Sequence, residues 1–186
     1  MPAINEAKIL ILATHGFEQS ELEAPRDKLS SIGATVHLAT PGGEDIRGWD
    51  QDHWGDIAHH DVALETVKAD DYDAIVLPGG QINPDLLRVN EDALKLIRAF
   101  FDQGKTVAAI CHAPWLLVET GIAKGRTMTS YPSLKTDVIN AGATWVDEAV
   151  IADNGVITSR NPGDLDAFCS KIIEEIQEGL HERKAA

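Results

Sequence analysis

A chain of 186 residues, 44% hydrophobic and 25% charged, has the size and composition of one globular domain, 1–186, with a substantial core. Its formal charge of −14 leaves no basic surface of the kind that a nucleic acid or an anionic membrane requires, so neither is expected as a partner. Two cysteines without zinc-type spacing, no apolar run near the ~20 residues of a membrane span and no basic-then-apolar start point to the reducing cytoplasm.

In chain order, Lys8-Ile-Leu-Ile-Leu-Ala13 reads as a buried strand leading to Gly16. A helix follows with Leu22, Leu29 and Ile32 on one face, a kink expected at Pro25 and a stop at Gly33. Thr35 to Ala39 is the next strand, ended by Pro41-Gly42-Gly43, and the polar segment Glu44 to Asp61 reads as an excursion or hairpin. Tyr72 to Leu77 is a further buried strand, stopped by Pro78-Gly79-Gly80. Asn90 caps a helix whose apolar stripe is Ala93, Leu94, Ile97, Phe100 and Phe101. Ser133 to Ala141 reads as helical, and Asp153-Asn154-Gly155 as the turn of a hairpin. The last helix carries Leu165, Phe168, Cys169, Ile172, Ile173 and Ile176 at helical spacing, which makes Cys169 a core residue. Strands alternating with helices predict a doubly wound, mostly parallel sheet with helices on both faces.

The sharpest local signal is Cys111. It ends the β-branched run Thr106-Val-Ala-Ala-Ile110 and precedes Pro114, which suits the first turn of a helix. The thiol therefore falls on a tight strand-to-helix bend, beside a helix terminus that favours thiolate. A buried structural cysteine is the plain alternative. In such a sheet, sites form at the carboxyl ends of strands, where Thr14-His15-Gly16-Phe17-Glu18, Leu77-Pro78-Gly79-Gly80 and Ile110-Cys111-His112 would converge.

Six ordered motifs carry a resemblance: Gly16-Phe17-Glu18, Leu77-Pro78-Gly79-Gly80, Ala109-Ile110-Cys111-His112-Ala113-Pro114, Thr129-Ser130-Tyr131-Pro132, Asn140-Ala141-Gly142-Ala143 and Thr158-Ser159-Arg160. Together they resemble the PfpI intracellular protease family of the ThiJ/PfpI superfamily, whose fold is similar to class I glutamine amidotransferases. The resemblance implies a flavodoxin-like α/β sandwich, a nucleophile elbow, assembly into dimers or hexamers, and a role in stress defence. It implies Cys111 as nucleophile, His112 as its base and Glu18 as the acid that hydrogen-bonds the sulfur. It further implies an oxyanion hole from the backbone N–H groups of Gly80 and His112, and Asp85 as a third triad member donated by a neighbouring subunit. Asp85 departs from the family pattern, which has Glu there and one residue fewer in the loop.

Plain readings stand beside these. Glu18 suits the first turn of a helix, His112 can face solvent, Gly79-Gly80 can be only a turn, and Asp85 can cap a helix begun by Pro84. His53, His59 and His60, with Asp56 and Asp61, fit no compact ligand spacing, so no metal site is expected. No cofactor is needed. A thiolate at Cys111 can attack a peptide or a small carbonyl substrate, and three activities share that nucleophile: a cysteine hydrolase of peptides or glycated groups, a glyoxalase III-like conversion of methylglyoxal, and a redox-responsive sensor or chaperone.

Overall fold

A computed structural model describes residues 3–183. In chain order the elements are β1 (Lys8–Leu12), α1 (Gln19–Ser31), β2 (Thr35–Thr40), β3 (Ile46–Asp50), β4 (His53–Ala58), β5 (Val62–Ala63), β6 (Ala74–Leu77), α2 (Ile82–Leu87), α3 (Glu91–Asp102) and β7 (Thr106–Ile110). They continue with α4 (Pro114–Glu119), β8 (Thr127–Met128), α5 (Lys135–Asn140), β9 (Thr144–Trp145), β10 (Val150–Asp153), β11 (Val156–Ser159) and α6 (Leu165–Glu178). Seven strands form the main sheet in the order β10-β11-β7-β6-β1-β2-β5, parallel throughout except for the β10–β11 hairpin.

The layers follow from strand alternation. Leu10, Leu12, Ile75, Leu77, Val107 and Ala109 face one side and bury against α3, α4 and α5 through Ile97, Phe100, Leu116, Leu117 and Val138. Ile9, Ile11, Val76, Ala108 and Ile110 face the other side and bury against α1 and α6 through Leu22, Leu29, Phe168 and Ile172. The result is a flavodoxin-like three-layer α/β sandwich. Because β1, β6 and β7 are adjacent and parallel, their carboxyl ends lie side by side at one edge.

Several local expectations meet the structure directly. The Glu44–Asp61 excursion is the β3–β4 hairpin. Asn154 (φ 51°) and Gly155 (φ 76°) form the left-handed two-residue turn between β10 and β11. Asn90 caps α3 by accepting from the Ala93 N–H at 3.0 Å. α1, by contrast, runs without interruption through Pro25, which is buried on its inner face. Among the described residues no helix is long and apolar enough to cross a membrane.

Candidate active site

Three loops at the carboxyl ends of β1, β6 and β7 build one cavity of about 460 Å³, lined among others by Glu18, Glu21, Trp49, Gly80, Cys111 and His112. Cys111 sits where β7 turns into the helical turn before α4, with φ 64°. A non-glycine side chain in the left-handed region is uncommon and strained, and such strain gathers at functional sites. The bend is held by the Cys111 N–H donating to the Ser159 carbonyl (3.0 Å) and by the Tyr131 N–H donating to the Cys111 carbonyl (2.8 Å).

The glycine loop after β6 can approach because it carries no side chains. A Cβ on Gly79 would lie 2.5 Å from Glu21 Oε2 and 2.6 Å from Cys111 Cβ. Gly80 adopts φ 80°, and a Cβ there would collide with the Gly16 carbonyl and lie 2.7 Å from the Glu18 nitrogen. Glycine is required at both positions by contact, and at Gly80 by φ as well. The backbone N–H groups of Gly80 and His112 both point at the Cys111 sulfur. The His112 ring lies against it too, with Nδ1 3.1 Å from Sγ. That ring is 5% exposed, stacked on Tyr131 at 4.6 Å between centroids and 3.4 Å from Ser133 Oγ through Nε2. Burial holds the imidazole below its ordinary pKa.

The acid at the sulfur is Glu21, not Glu18. Glu21 is fully buried in the first turn of α1, its Oε2 accepts the Gly79 N–H at 2.9 Å, and its carboxyl is the side-chain partner of the Cys111 thiol. Its Oε1 is buried without a hydrogen-bond partner among the described residues. Glu18 stands one residue before α1 in extended backbone, bridged to Trp49, and its carboxyl reaches the outer part of the cavity beside Ser20 (3.4 Å). The displacement is one helical turn: a side chain at the third position of a helix tilts back over the N-terminus, whereas the residue at the cap looks outward. The signal was present in the sequence. Glu21, Pro25 and Leu29 share one buried face, so Glu21 is a lone acid on an apolar stripe.

The electrostatics also differ from the expectation of an activated thiolate. Burial pushes the Cys111 thiol up, and a charged Glu21 would push it further, while the Gly80 and His112 N–H groups pull the other way. Glu21 is itself pushed up to about 8, first by burial, with Glu18 adding and the Gly79 hydrogen bond opposing. Two acids in contact titrate as a pair, and Glu21 keeps its proton near neutral pH. Burial also raises Glu18, with Ser20 opposing and Asp50 adding.

Asp85 is exposed on α2 and makes no hydrogen bond or ion pair with Cys111 or His112 in this chain. It shares the outer side of α2 with the exposed Ile82 and Leu86. The histidine group weighed as a metal site does not converge: His59 and His60 both bond Asp45 (2.7 and 2.8 Å), His53 bonds Asp52, Asp56 pairs with Gln19, and Asp61 accepts the Leu38 N–H.

Residues 7–175 match the model of the DJ-1/PfpI family. The chain belongs to that family. It is 39% identical over 167 residues to Deglycase PfpI of Pyrococcus furiosus, covering 90% of this chain and 98% of that protein, and 40% identical over the same span to a deglycase of Pyrococcus abyssi. A Bacillus subtilis relative provisionally named as a cysteine protease, YraA, is 37% identical over 162 residues, covering 87% of this chain and 93% of its own. Among solved structures, Drosophila melanogaster DJ-1beta superposes with a TM-score of 0.83 at 32% identity, covering 93% of this chain and 95% of the other.

Proposed function

We propose that this DJ-1/PfpI chain is a cysteine hydrolase of the deglycase and peptidase type, working in the cytoplasm in defence against carbonyl stress. The observation that carries the reading is the conjunction at Cys111: a strained elbow at φ 64°, two backbone N–H groups aimed at sulfur and an imidazole nitrogen at 3.1 Å, opening into a substrate-sized cavity. Nucleophile, base and oxyanion donors are the three parts that acyl transfer requires.

On an amide substrate, Cys111 loses its proton to His112 as sulfur adds to the carbonyl. The Gly80 and His112 N–H groups receive the oxyanion, His112 returns the proton to the leaving amine, and water then hydrolyses the thioester. Glu21 orients the sulfur and, through Gly79, the loop that carries the oxyanion donor. The names of the P. furiosus and P. abyssi relatives favour glycated amines as substrates over plain peptides.

A second reading uses the same site. A buried carboxyl raised to about 8, beside the sulfur, suits proton transfer: its ionised form takes a proton from one carbon of a methylglyoxal hemithioacetal and returns it to the adjacent carbon, and water hydrolyses the resulting thioester to a hydroxyacid. Glu21 takes the part that sequence alone gave to Glu18. Assembly belongs to the proposal too: Asp85, next to the exposed Ile82, Leu86 and Val89, suits a surface that meets a second copy.

The test is intact-mass spectrometry of the protein quenched during turnover of a glycated amine and of a fluorogenic peptide. An acyl adduct on the peptide that contains Cys111 supports the hydrolase. Turnover with no adduct and no loss in Cys111→Ala removes it.

A further inference from the structure

At the opposite edge of the sheet from Cys111, the end of α6 and the segment after it form a second cluster. Gly179, at φ 91°, turns the chain back after Glu178. The returning segment is pinned to the amino ends of the strands. The His181 N–H donates to the Gly104 carbonyl at 2.8 Å, and Asn154 Nδ2 donates to the Glu182 carbonyl at 3.1 Å. The Arg183 guanidinium donates to the carbonyls of Phe101, Lys105 and Asn154. These contacts place the His181 ring over the last turn of α6, where Glu175 and Glu178 lie three residues apart on one face. One ligand atom from each of Glu175, Glu178 and His181 falls within 4.8 Å of the others.

Two of these groups are out of place as they stand. The side chains of His181 and Glu175 are 10% and 9% exposed. His181 Nε2 is buried without a hydrogen-bond partner, although it lies 3.3 Å from Glu175 Oε2, so the two face each other without a hydrogen bond between them. A buried polar atom left unpaired is costly. Arg183 is the nearby cation, yet its donors are spent on backbone carbonyls and, among the described residues, it forms no ion pair with either glutamate.

We propose that Glu175, Glu178 and His181 form a binding site for a divalent transition-metal ion of the zinc class. One imidazole nitrogen with two carboxylates suits zinc, with water completing the set, whereas calcium and magnesium favour all-oxygen shells. The ion would sit between His181 Nε2 and Glu175 Oε2, satisfy both, and tie the 179–183 segment to α6. Its role is structural: it fastens the chain's end across the Gly104 and Asn154–Gly155 turns, far from the thiol.

The experiment is a calorimetric titration of the chelator-washed full chain with Zn²⁺, carrying Cys111→Ser so that no active-site thiolate competes. One ion per chain is expected, with a rise in thermal midpoint on binding and affinity falling at least about tenfold in both Glu178→Gln and His181→Gln. Glu178 is exposed and, among the described residues, its side chain accepts no hydrogen bond, so Glu178→Gln keeps the test valid even if His181→Gln unfolds. Co²⁺ in place of Zn²⁺ should give ligand-field bands that vanish in Glu178→Gln. Binding no tighter than about 1 mM, or binding of equal strength in the parent and Glu178→Gln, would overturn the site and leave only a close contact between His181 and Glu175.

Discussion

Glu21 does two jobs with one carboxyl, and its replacement separates them. Its Oε2 accepts the buried Gly79 N–H at 2.9 Å, and the carboxyl also meets the Cys111 thiol. Glu21→Gln keeps an acceptor for Gly79 and a donor for sulfur, while Glu21→Leu keeps neither. Leaving the Gly79 N–H buried and unpaired costs about 1–3 kcal/mol. At roughly 2–4 °C per kcal/mol for a chain of this size, Glu21→Leu should melt about 2–12 °C below the parent, and Glu21→Gln much less so at acid pH. The pH dependence is the sharper signature. Glu21 is raised from an ordinary 4.5 to about 8, so between those values the folded chain holds a proton that the unfolded chain has lost. Its contribution is therefore fully present below about pH 4.5 and is lost as pH rises through about 8. At about 1.4 kcal/mol per pH unit the whole span is on the order of 5 kcal/mol. Urea unfolding of the parent and Glu21→Gln at about pH 5 and about pH 9 reads it directly. The glutamine variant does not titrate, so its deficit should shrink or reverse towards high pH. Parallel stability profiles for the two proteins would refute the account of Glu21.

Other predictions follow from the same geometry. Cys111, which lines the cavity, should alkylate faster than Cys169, which is 1% exposed on α6; rates for each single-cysteine variant decide it, and equal rates would count against the elbow. Gly80→Ala should remove most activity, because φ 80° costs a non-glycine residue about 1–2 kcal/mol and the new Cβ would collide with the backbone of Gly16, Phe17 and Glu18; an active, stable Gly80→Ala would contradict the close approach. With its imidazole held below the ordinary pKa, His112 should lose its basic form only at acid pH, so activity should fall below about pH 6.5. Uncovering the ring with Tyr131→Ala should move that limb upward. If Asp85 acts across an interface, co-assembled Cys111→Ala and Asp85→Ala chains should regain part of the activity that each lacks; none regained in proven mixed oligomers would leave Asp85 a residue of α2 alone.

What the sequence made legible was whatever short-range chemistry decides. The apolar runs of β1, β6 and β7, the Asn90 cap, the Asn154-Gly155 turn and the bend at Cys111 each follow from a few neighbouring residues. The choice between Glu18 and Glu21 needed the first residue of α1, and an error of one turn there exchanges a cavity-mouth acid for a buried one. The surroundings of the thiol needed the fold because the bend is local while burial is not: β7, the Gly79 loop and Glu21 together close over sulfur. The continuity of α1 through Pro25 and the meeting of His181 with Glu175 likewise depend on how α1 and α6 seat on the sheet.

The central claim is that covalent chemistry at Cys111 turns over a carbonyl substrate. Steady-state rates on a glycated amine, a fluorogenic peptide and methylglyoxal, measured side by side for the parent and Cys111→Ala, test it most directly. The account predicts saturable turnover of at least one of them by the parent and, in Cys111→Ala, no rate above that of the buffer. Equal rates in the two proteins would contradict it.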